Sequence, residues 1–343
     1  MNTGKELSLR QVLAAVTLAG LSLAASQAGV VDWAWGLVGT AAAAPLLRWL
    51  MLRQGDKPLC RGGYGVVLRG LYCLWSVVVL GHVLVQSARR VELVGGSQGV
   101  SGWLLLLLAL PVLWMSWGKC AAFFRSGEIY WMVLVAALVA VGLLAIPQVT
   151  VSYLWTRQGS GWASALMGAG TVAMAVWVLP YLYKVSPRQR QGGPVGRWLL
   201  LAGLLGVALA ALTRGVLGNA AGELPHPFFV TTGVMGESAR LEGLLSALWL
   251  ICDLVWAGLL ARVWGDGKGP VLGVLLGIAV AFTGWTEALP GMVWPIGNLA
   301  LAALSALVPK GAEEIVVEGG VKPPYLGPEE KVRKNSKKGE EKC

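Results

Sequence analysis

Charged residues stand in and beside one apolar stretch, residues 239–263, where charge is least expected. Asp253 follows Glu242 by eleven residues, about three helical turns, so a helix would place both carboxylates on one face. An ionised group in the hydrocarbon region costs several kcal/mol unless it is paired or hydrated, which makes such residues functional candidates. We therefore interpret Asp253 as part of a functional site or of a buried hydrogen-bond network. Arg240 is positioned to pair with Glu237 or Glu242, either as an interfacial ion pair or as part of a coupling site.

The other ionisable residues suggest structural roles. Arg125 and Glu128 stand one turn apart beside another apolar stretch and are expected to form an interfacial ion pair. His82 and His226 are too far apart in sequence and in expected depth to form one catalytic unit. His82 is expected to pack between helices, with a proton-responsive group as the alternative, since His titrates near neutral pH. The cysteines are scattered, without a CxxC or a His at ligand spacing: Cys60, Cys73, Cys120, Cys252 and Cys343. We expect no enzyme, no metal site and no cofactor, because no nucleophile–base pair or metal cluster occurs at a credible depth.

The composition indicates a membrane protein. Charged residues make up 13% of the chain and hydrophobic residues 56%, whereas about a quarter of an ordinary soluble domain is charged. The 17 Trp and 47 Gly fit this class, because Trp anchors helices at the membrane interface and Gly allows close helix packing. The net charge of +10 comes without a basic stripe interleaved with aromatic residues, so nucleic acid is not an expected partner.

A spanning helix needs about 20 apolar residues. Runs of this kind predict about ten transmembrane helices and an all-α integral membrane fold, at residues 8–29, 32–52, 64–87, 100–118, 128–148, 161–183, 197–217, 239–263, 270–288 and 291–309. The first run resembles a signal peptide. The ten-span pattern of the whole chain needs this helix, however, and we expect the helix to be retained.

The distribution of positive charge predicts the orientation. With the N-terminus inside, 23 Lys and Arg lie in or beside internal segments and 5 beside external ones, which together make the 28 of the chain. Both termini are therefore predicted to be cytoplasmic. Residues 310–343 form a polar tail that is too poor in apolar residues to fold alone, and we expect it to be disordered.

Ten spans divide into two sets of five, residues 8–149 and 161–309, within a transporter-like domain of residues 1–309. Five is odd, so the second set enters the membrane from the opposite side, as in transporters built from inverted repeats. In such proteins a ligand binds near the midplane, at helix interruptions whose free backbone groups and dipoles face it. Tyr72 could line this pocket or anchor at the interface. Small residues that occupy corresponding places in the two halves are Gly20 and Ser22 in the first span, and Gly168, Gly170 and Thr171 in the sixth.

Several segments, taken in order, resemble a known family. They are Leu7-Ser8-Leu9-Arg10-Gln11, Gly118 followed by Arg125-Ser126-Gly127-Glu128, Leu179-Pro180-Tyr181, and Arg240-Leu241-Glu242 followed by Leu248-Trp249. Together they resemble the B subunits of spore nutrient-germinant receptors, the GerAB-like branch of the amino acid–polyamine–organocation transporters. The chain departs from that family in its first span, which lacks the proline that usually breaks this helix.

The resemblance implies a LeuT-like fold with two five-helix inverted repeats and a small-molecule site near the midplane. It also implies a role in sensing an amino-acid-like nutrient at the spore inner membrane, with a large A-type membrane subunit and a C-type lipoprotein as partners. Two other functions stay open: a secondary transporter coupled to H⁺ or Na⁺ through Asp253 and Glu242, and a membrane scaffold without its own ligand.

Overall fold

Each of the ten predicted spans corresponds to a helix in the computed structural model. The structure describes residues 7–53, 62–95, 102–155, 160–185, 195–224, 226–234, 240–265 and 267–308, and the predicted tail of residues 310–343 lies outside them. The helices are α1 (Leu9–Gln27), α2 (Trp33–Arg53), α3 (Gly62–Gly95), α4 (Gly102–Trp117), α5 (Cys120–Ala145), α6 (Val151–Leu154), α7 (Gly161–Ala173), α8 (Val195–Leu217), α9 (Pro227–Val234), α10 (Arg240–Arg262), α11 (Gly269–Thr283) and α12 (Val293–Ala306). A 3₁₀ helix, Met174–Lys184, continues α7. The short helices α6 and α9 connect spans.

The described helices have the length and composition of a multi-pass membrane protein. Seven are long and apolar enough to cross a bilayer, and α4, α11 and α12 are shorter apolar helices that occupy the places of the other three predicted spans. The surface of α4 is typical of a lipid-facing helix: Trp103 is 78% exposed near one end, and Trp114 and Trp117 are 84% and 77% exposed near the other. Tryptophan at both ends of a span marks the two membrane interfaces.

The first helix forms the centre of the bundle. Ser8 caps it, accepting a hydrogen bond from the backbone N–H of Gln11 while the Gln11 side chain accepts one from the backbone N–H of Ser8. Every residue from Val12 to Ala25 is buried. A helix that is apolar on all sides belongs inside a larger bundle, and α1 accordingly packs against α5, α7, α8 and α10.

Several contacts between the two sets of five helices occur in symmetric pairs. The first set is α1 to α5, and the second is α7, α8, α10, α11 and α12. Helix α1 contacts α8 as α2 contacts α7, and α3 contacts α11 as α4 contacts α10. This pairing is what a two-fold axis between inverted repeats requires. The fold is therefore the predicted five-plus-five, LeuT-like bundle.

The helix boundaries correct three expectations. Helix α1 runs unbroken through Gly20 and Ser22, so the predicted interruption of the first span is wrong. In the sixth span the predicted interruption takes a milder form: the α-helix tightens into a 3₁₀ helix at Met174. Helix α3 continues to Gly95, eight residues past its predicted end at residue 87. We call the end of the bundle at which α1 finishes the outer end, because the charge distribution predicts it to be external.

Candidate functional site

A buried ion pair joins the two repeats. Nη1 of Arg90, on α3, lies 2.6 Å from Oδ2 of Asp253, on α10, and each side chain is 3% exposed or less. Two buried charges at this distance attract each other strongly in a medium of low dielectric constant, and that attraction offsets part of their desolvation cost. Asp253 therefore has the ionic partner that a carboxylate inside a span requires.

Two hydroxyl groups complete the site. The Ser22 hydroxyl of α1 donates to Oδ1 of Asp253 in a short hydrogen bond, and the Ser87 hydroxyl donates to Oδ2 across 2.8 Å. Ser87 and Arg90 are three residues apart on α3, so both reach the same carboxylate from one helix face. We call Ser22, Ser87, Arg90 and Asp253 the buried charge cluster.

Aromatic side chains seal the cluster. The guanidinium carbon of Arg90 lies 4.5 Å from the ring centroid of Phe229, on α9, in a cation–π contact. Phe229 packs edge-on against Trp249, which is fully buried and stands one turn before Asp253 on α10. This cover keeps water away from the pair, so separating the charges within the folded protein is expensive.

Sequence reasoning identified Asp253 as part of a functional site or of a buried hydrogen-bond network, and Ser22 as a ligand-binding residue. It missed Arg90 and Ser87. The third span was predicted to end at residue 87, which made Arg90 look like a charge outside the membrane. A signal was present, because Ser87 and Arg90 share a helix face, and Asp253 within a span calls for a cation at the same depth.

The predicted small residues serve helix packing. A Cβ added to Gly20 would lie 2.8 Å from the carbonyl oxygen of Thr171, and one added to Gly168 would lie 2.1 Å from that of Gly36. At Gly170 an added Cβ would lie 2.4 Å from Cβ of Pro295. These glycines hold α7 in backbone contact with α1 and α2 and against Pro295 of α12, as small residues do in membrane bundles.

The space between the first and sixth spans is nearly filled. A cavity beside Gly168 and Thr171 has a volume of about 10 Å³, room for about one water molecule. Tyr72 is buried next to the 3₁₀ segment, with its hydroxyl 2.8 Å from Oγ of Ser305 and 3.3 Å from the carbonyl oxygen of Val176. In this conformation Gly20 lies against Thr171, and the other residues predicted to bind a ligand contact different parts of the bundle.

Two of the other charged candidates, Arg125 and Glu128, lie apart from the cluster. Glu128 forms an ion pair with Arg10, whose Nε is 2.8 Å from Oε1, and not the expected pair with Arg125, which is exposed. The N-terminal turn of α1 and the start of α5 meet there, so Arg10 is the nearer cation. The side chains of Arg240 and Glu242 lie outside the described part of the structure.

His82 takes part in a separate packing cluster. Its ring stacks on Trp294 of α12, with centroids 3.9 Å apart, and Trp294 packs in turn against Trp75. The indole N–H of Trp75 donates to the side-chain oxygen of Asn298 across 3.1 Å. These contacts tie α3 to α12, which fits the packing role expected of His82.

Comparison with solved structures supports the fold. Among 38 matching chains is the structure of MHP1, a nucleobase-cation-symport-1 family transporter, in a closed conformation with bromovinylhydantoin bound. The match has a TM-score of 0.56 and 16% sequence identity, and it covers 89% of this chain and 78% of that one. No protein-family model matches the sequence, and no curated protein matches it. At this identity the likeness shows the fold alone, which is a LeuT-like helical membrane fold.

Proposed function

We propose that the chain is the membrane subunit of a spore nutrient-germinant receptor. In this proposal it binds an amino-acid-like molecule between its helices and passes a conformational change to partner subunits. The resemblance of its ordered motifs to that family favours the role, and the LeuT-like fold is the one that the family implies. The observation that carries the proposal is the buried charge cluster, because it ties the first repeat to the second at one point.

The pairing of Asp253 favours sensing over transport. A carboxylate that couples transport to H⁺ or Na⁺ must take up and release that cation in each cycle. Here the carboxylate of Asp253 is already paired with the cationic side chain of Arg90, and two hydroxyl groups donate hydrogen bonds to the carboxylate oxygens. A transported cation would have to displace a guanidinium held in a dry, aromatic-covered site. A cluster of this kind is suited to stabilise one conformation of the protein relative to another.

The cluster also suits the transmission of a signal. Ser22 and Asp253 belong to opposite repeats, so a ligand that separates α1 from α10 must break their hydrogen bond. A conformational change follows only if the ligand binds one arrangement of the repeats better than the other. We infer that nutrient binding favours an arrangement in which Ser22 and Asp253 separate.

Proteoliposomes distinguish sensing from transport. We expect purified full-length protein to bind a radiolabelled amino acid saturably and to accumulate none under an H⁺ or Na⁺ gradient. In spores that carry the gene as their sole copy, Ser22→Ala should alter the nutrient concentration needed for germination. Ser126→Ala is the matched control, because the Ser126 hydroxyl bonds only to backbone carbonyls of its own helix among the described residues. A germination response identical in Ser22→Ala and wild type would contradict the role given to the cluster.

A cation-coupled transporter is the second candidate, favoured by the likeness to a symport-family transporter. It predicts gradient-driven uptake that is lost in Asp253→Asn. If the protein shows neither binding nor uptake, the ligand-free scaffold is the better hypothesis.

A further inference from the structure

A cavity of about 230 Å³ lies at the outer end of the bundle. Its polar lining comes from Ser26 of α1, Gln86 and Arg89 of α3, and His226 just before α9. Val30, also in the lining, is 44% exposed, so the cavity reaches the protein surface. The volume is far above the roughly 10–15 Å³ that one water needs and close to the ~300 Å³ at which small-molecule pockets begin. It therefore suits a ligand of amino-acid size or smaller.

The cavity adjoins the buried charge cluster. Ser26 is one turn beyond Ser22 on α1, and Arg89 is next to Arg90 on α3. The cavity and the cluster thus share the same two helices, and on α1 the cavity residue is the one nearer the outer end. The cavity is a separate site, because neither Arg90 nor Asp253 is among its lining residues and the two are paired with each other.

Arg89 supplies a cation that is only loosely held. It forms an ion pair with Glu287, in the 3₁₀ turn Trp285–Glu287 between α11 and α12. The Arg89 side chain is 46% exposed and that of Glu287 is 27% exposed. Ion pairs exposed to this degree contribute little stability, so another carboxylate can replace Glu287 at small cost. A guanidinium can bind a carboxylate through two parallel hydrogen bonds.

His226 adds a neutral polar group and a strained backbone. Burial, together with the nearby positive charges of Arg90 and Arg89, lowers the pKa of His226 to about 4, so the imidazole is uncharged at neutral pH. Its backbone φ is +49°, a left-handed conformation uncommon for a residue other than glycine. Strain of this kind concentrates at ligand sites, where the surrounding structure enforces it.

We propose that this outer cavity binds a small molecule through its carboxylate, with Arg89 exchanging Glu287 for the ligand. Released from Arg89, Glu287 no longer ties the turn between α11 and α12 to α3. Occupancy of the cavity is thereby communicated to the second repeat. This site goes beyond the germinant-receptor role and is independent of it.

Acetate is a suitable probe, and uncharged methyl acetate is its matched control. With purified full-length protein in lipid nanodiscs, we expect saturable binding of ¹³C-labelled acetate, measured by NMR line broadening, and none of methyl acetate. Arg89→Gln should weaken acetate binding at least about tenfold, since it removes a charge-assisted contact. Glu287→Gln should strengthen it by about two- to fivefold, because the competing carboxylate is gone. The Glu287 variant keeps the test decisive if Arg89→Gln does not fold.

Two further variants control for general charge effects. Arg125→Gln removes an exposed arginine near the start of α5, which the charge distribution predicts to be internal. This variant should leave acetate binding unchanged. Glu223→Gln removes an exposed carboxylate close to the cavity without releasing Arg89 and should have a smaller effect than Glu287→Gln. The proposal is overturned if acetate does not bind saturably, if methyl acetate binds equally well, or if Glu223→Gln matches Glu287→Gln.

Discussion

At the residue scale, the arrangement around Asp253 depends on complete compensation of charge. Its two carboxylate oxygens contact Arg90, Ser87 and Ser22, all of them buried. A buried ion pair often adds little net stability compared with apolar residues of the same volume. Loss of one partner, however, leaves the other charge buried without a counter-ion. The pair is therefore better suited to specify one arrangement of helices than to add stability.

A double-mutant cycle tests this compensation. Asp253→Asn and Arg90→Gln should each cost about 3–5 kcal/mol of unfolding free energy, because each strands a buried charge. The double variant should lose less than the sum of the two, with a coupling of at least about 2 kcal/mol. Chemical denaturation of the purified proteins in one detergent provides the measurement.

The Arg10–Glu128 pair is the matched control. Its separation of 2.8 Å is similar, but its side chains are 56% and 21% exposed. The cycle of Arg10→Gln and Glu128→Gln should therefore give a coupling of about 0–1 kcal/mol. Additive losses at Arg90 and Asp253 would refute the compensation.

At the element scale, close contact between helix backbones positions the site. Gly168 lets α7 lie against Gly36 of α2, where an added Cβ would come within 2.1 Å of a carbonyl oxygen. Backbone atoms cannot move aside as a flexible side chain does, so the helices would have to separate. Any such separation also displaces α1, which packs against α7.

Substitution of single glycines tests this packing. Gly168→Ala should lower the unfolding midpoint strongly, by the equivalent of several kcal/mol, because overpacking of a rigid contact strains the bundle. Gly142→Ala, on α5, should be neutral or slightly stabilising, since an added Cβ meets nothing within 4 Å and alanine is the better helix former. Thermal unfolding followed by circular dichroism compares the two variants. Equal midpoints would show that the α2–α7 contact is less rigid than inferred.

Sequence reasoning succeeded where one physical signal dominates. Ten apolar runs predicted ten helices, because hydrophobic length is the strongest constraint on a spanning segment. The helix ends were less well predicted: α3 carries Arg90 inside the bundle because Asp253, in a distant span, compensates its charge, and hydrophobic length alone does not show that pairing. Gly20 and Gly168 were interpreted as parts of a ligand pocket because the sequence does not show what packs against them. A glycine that admits a ligand and one that admits another helix look identical in sequence.

At the scale of the whole molecule, the buried charge cluster joins α1 and α3 of the first repeat to α10 of the second, and the outer cavity lies beside that junction. Two features at the outer end connect the repeats: the buried charge cluster and the Arg89–Glu287 pair. One is sealed by aromatic rings, and the other is open to the surface. A ligand that acts first on the exposed pair can therefore influence the relation between the repeats before the sealed pair breaks.

The orientation of the bundle decides whether that cavity faces the medium, and labelling of single cysteines tests it. The charge distribution predicts that Glu223 is external and Arg125 internal, and both residues are exposed. In a background in which the five native cysteines are replaced by serine, Glu223→Cys should react with a membrane-impermeant maleimide in intact cells. Arg125→Cys should react only after the membrane is permeabilised. The opposite pattern would place both termini outside the cell and the outer cavity on the cytoplasmic side. The cavity would then bind internal solutes and not external nutrients.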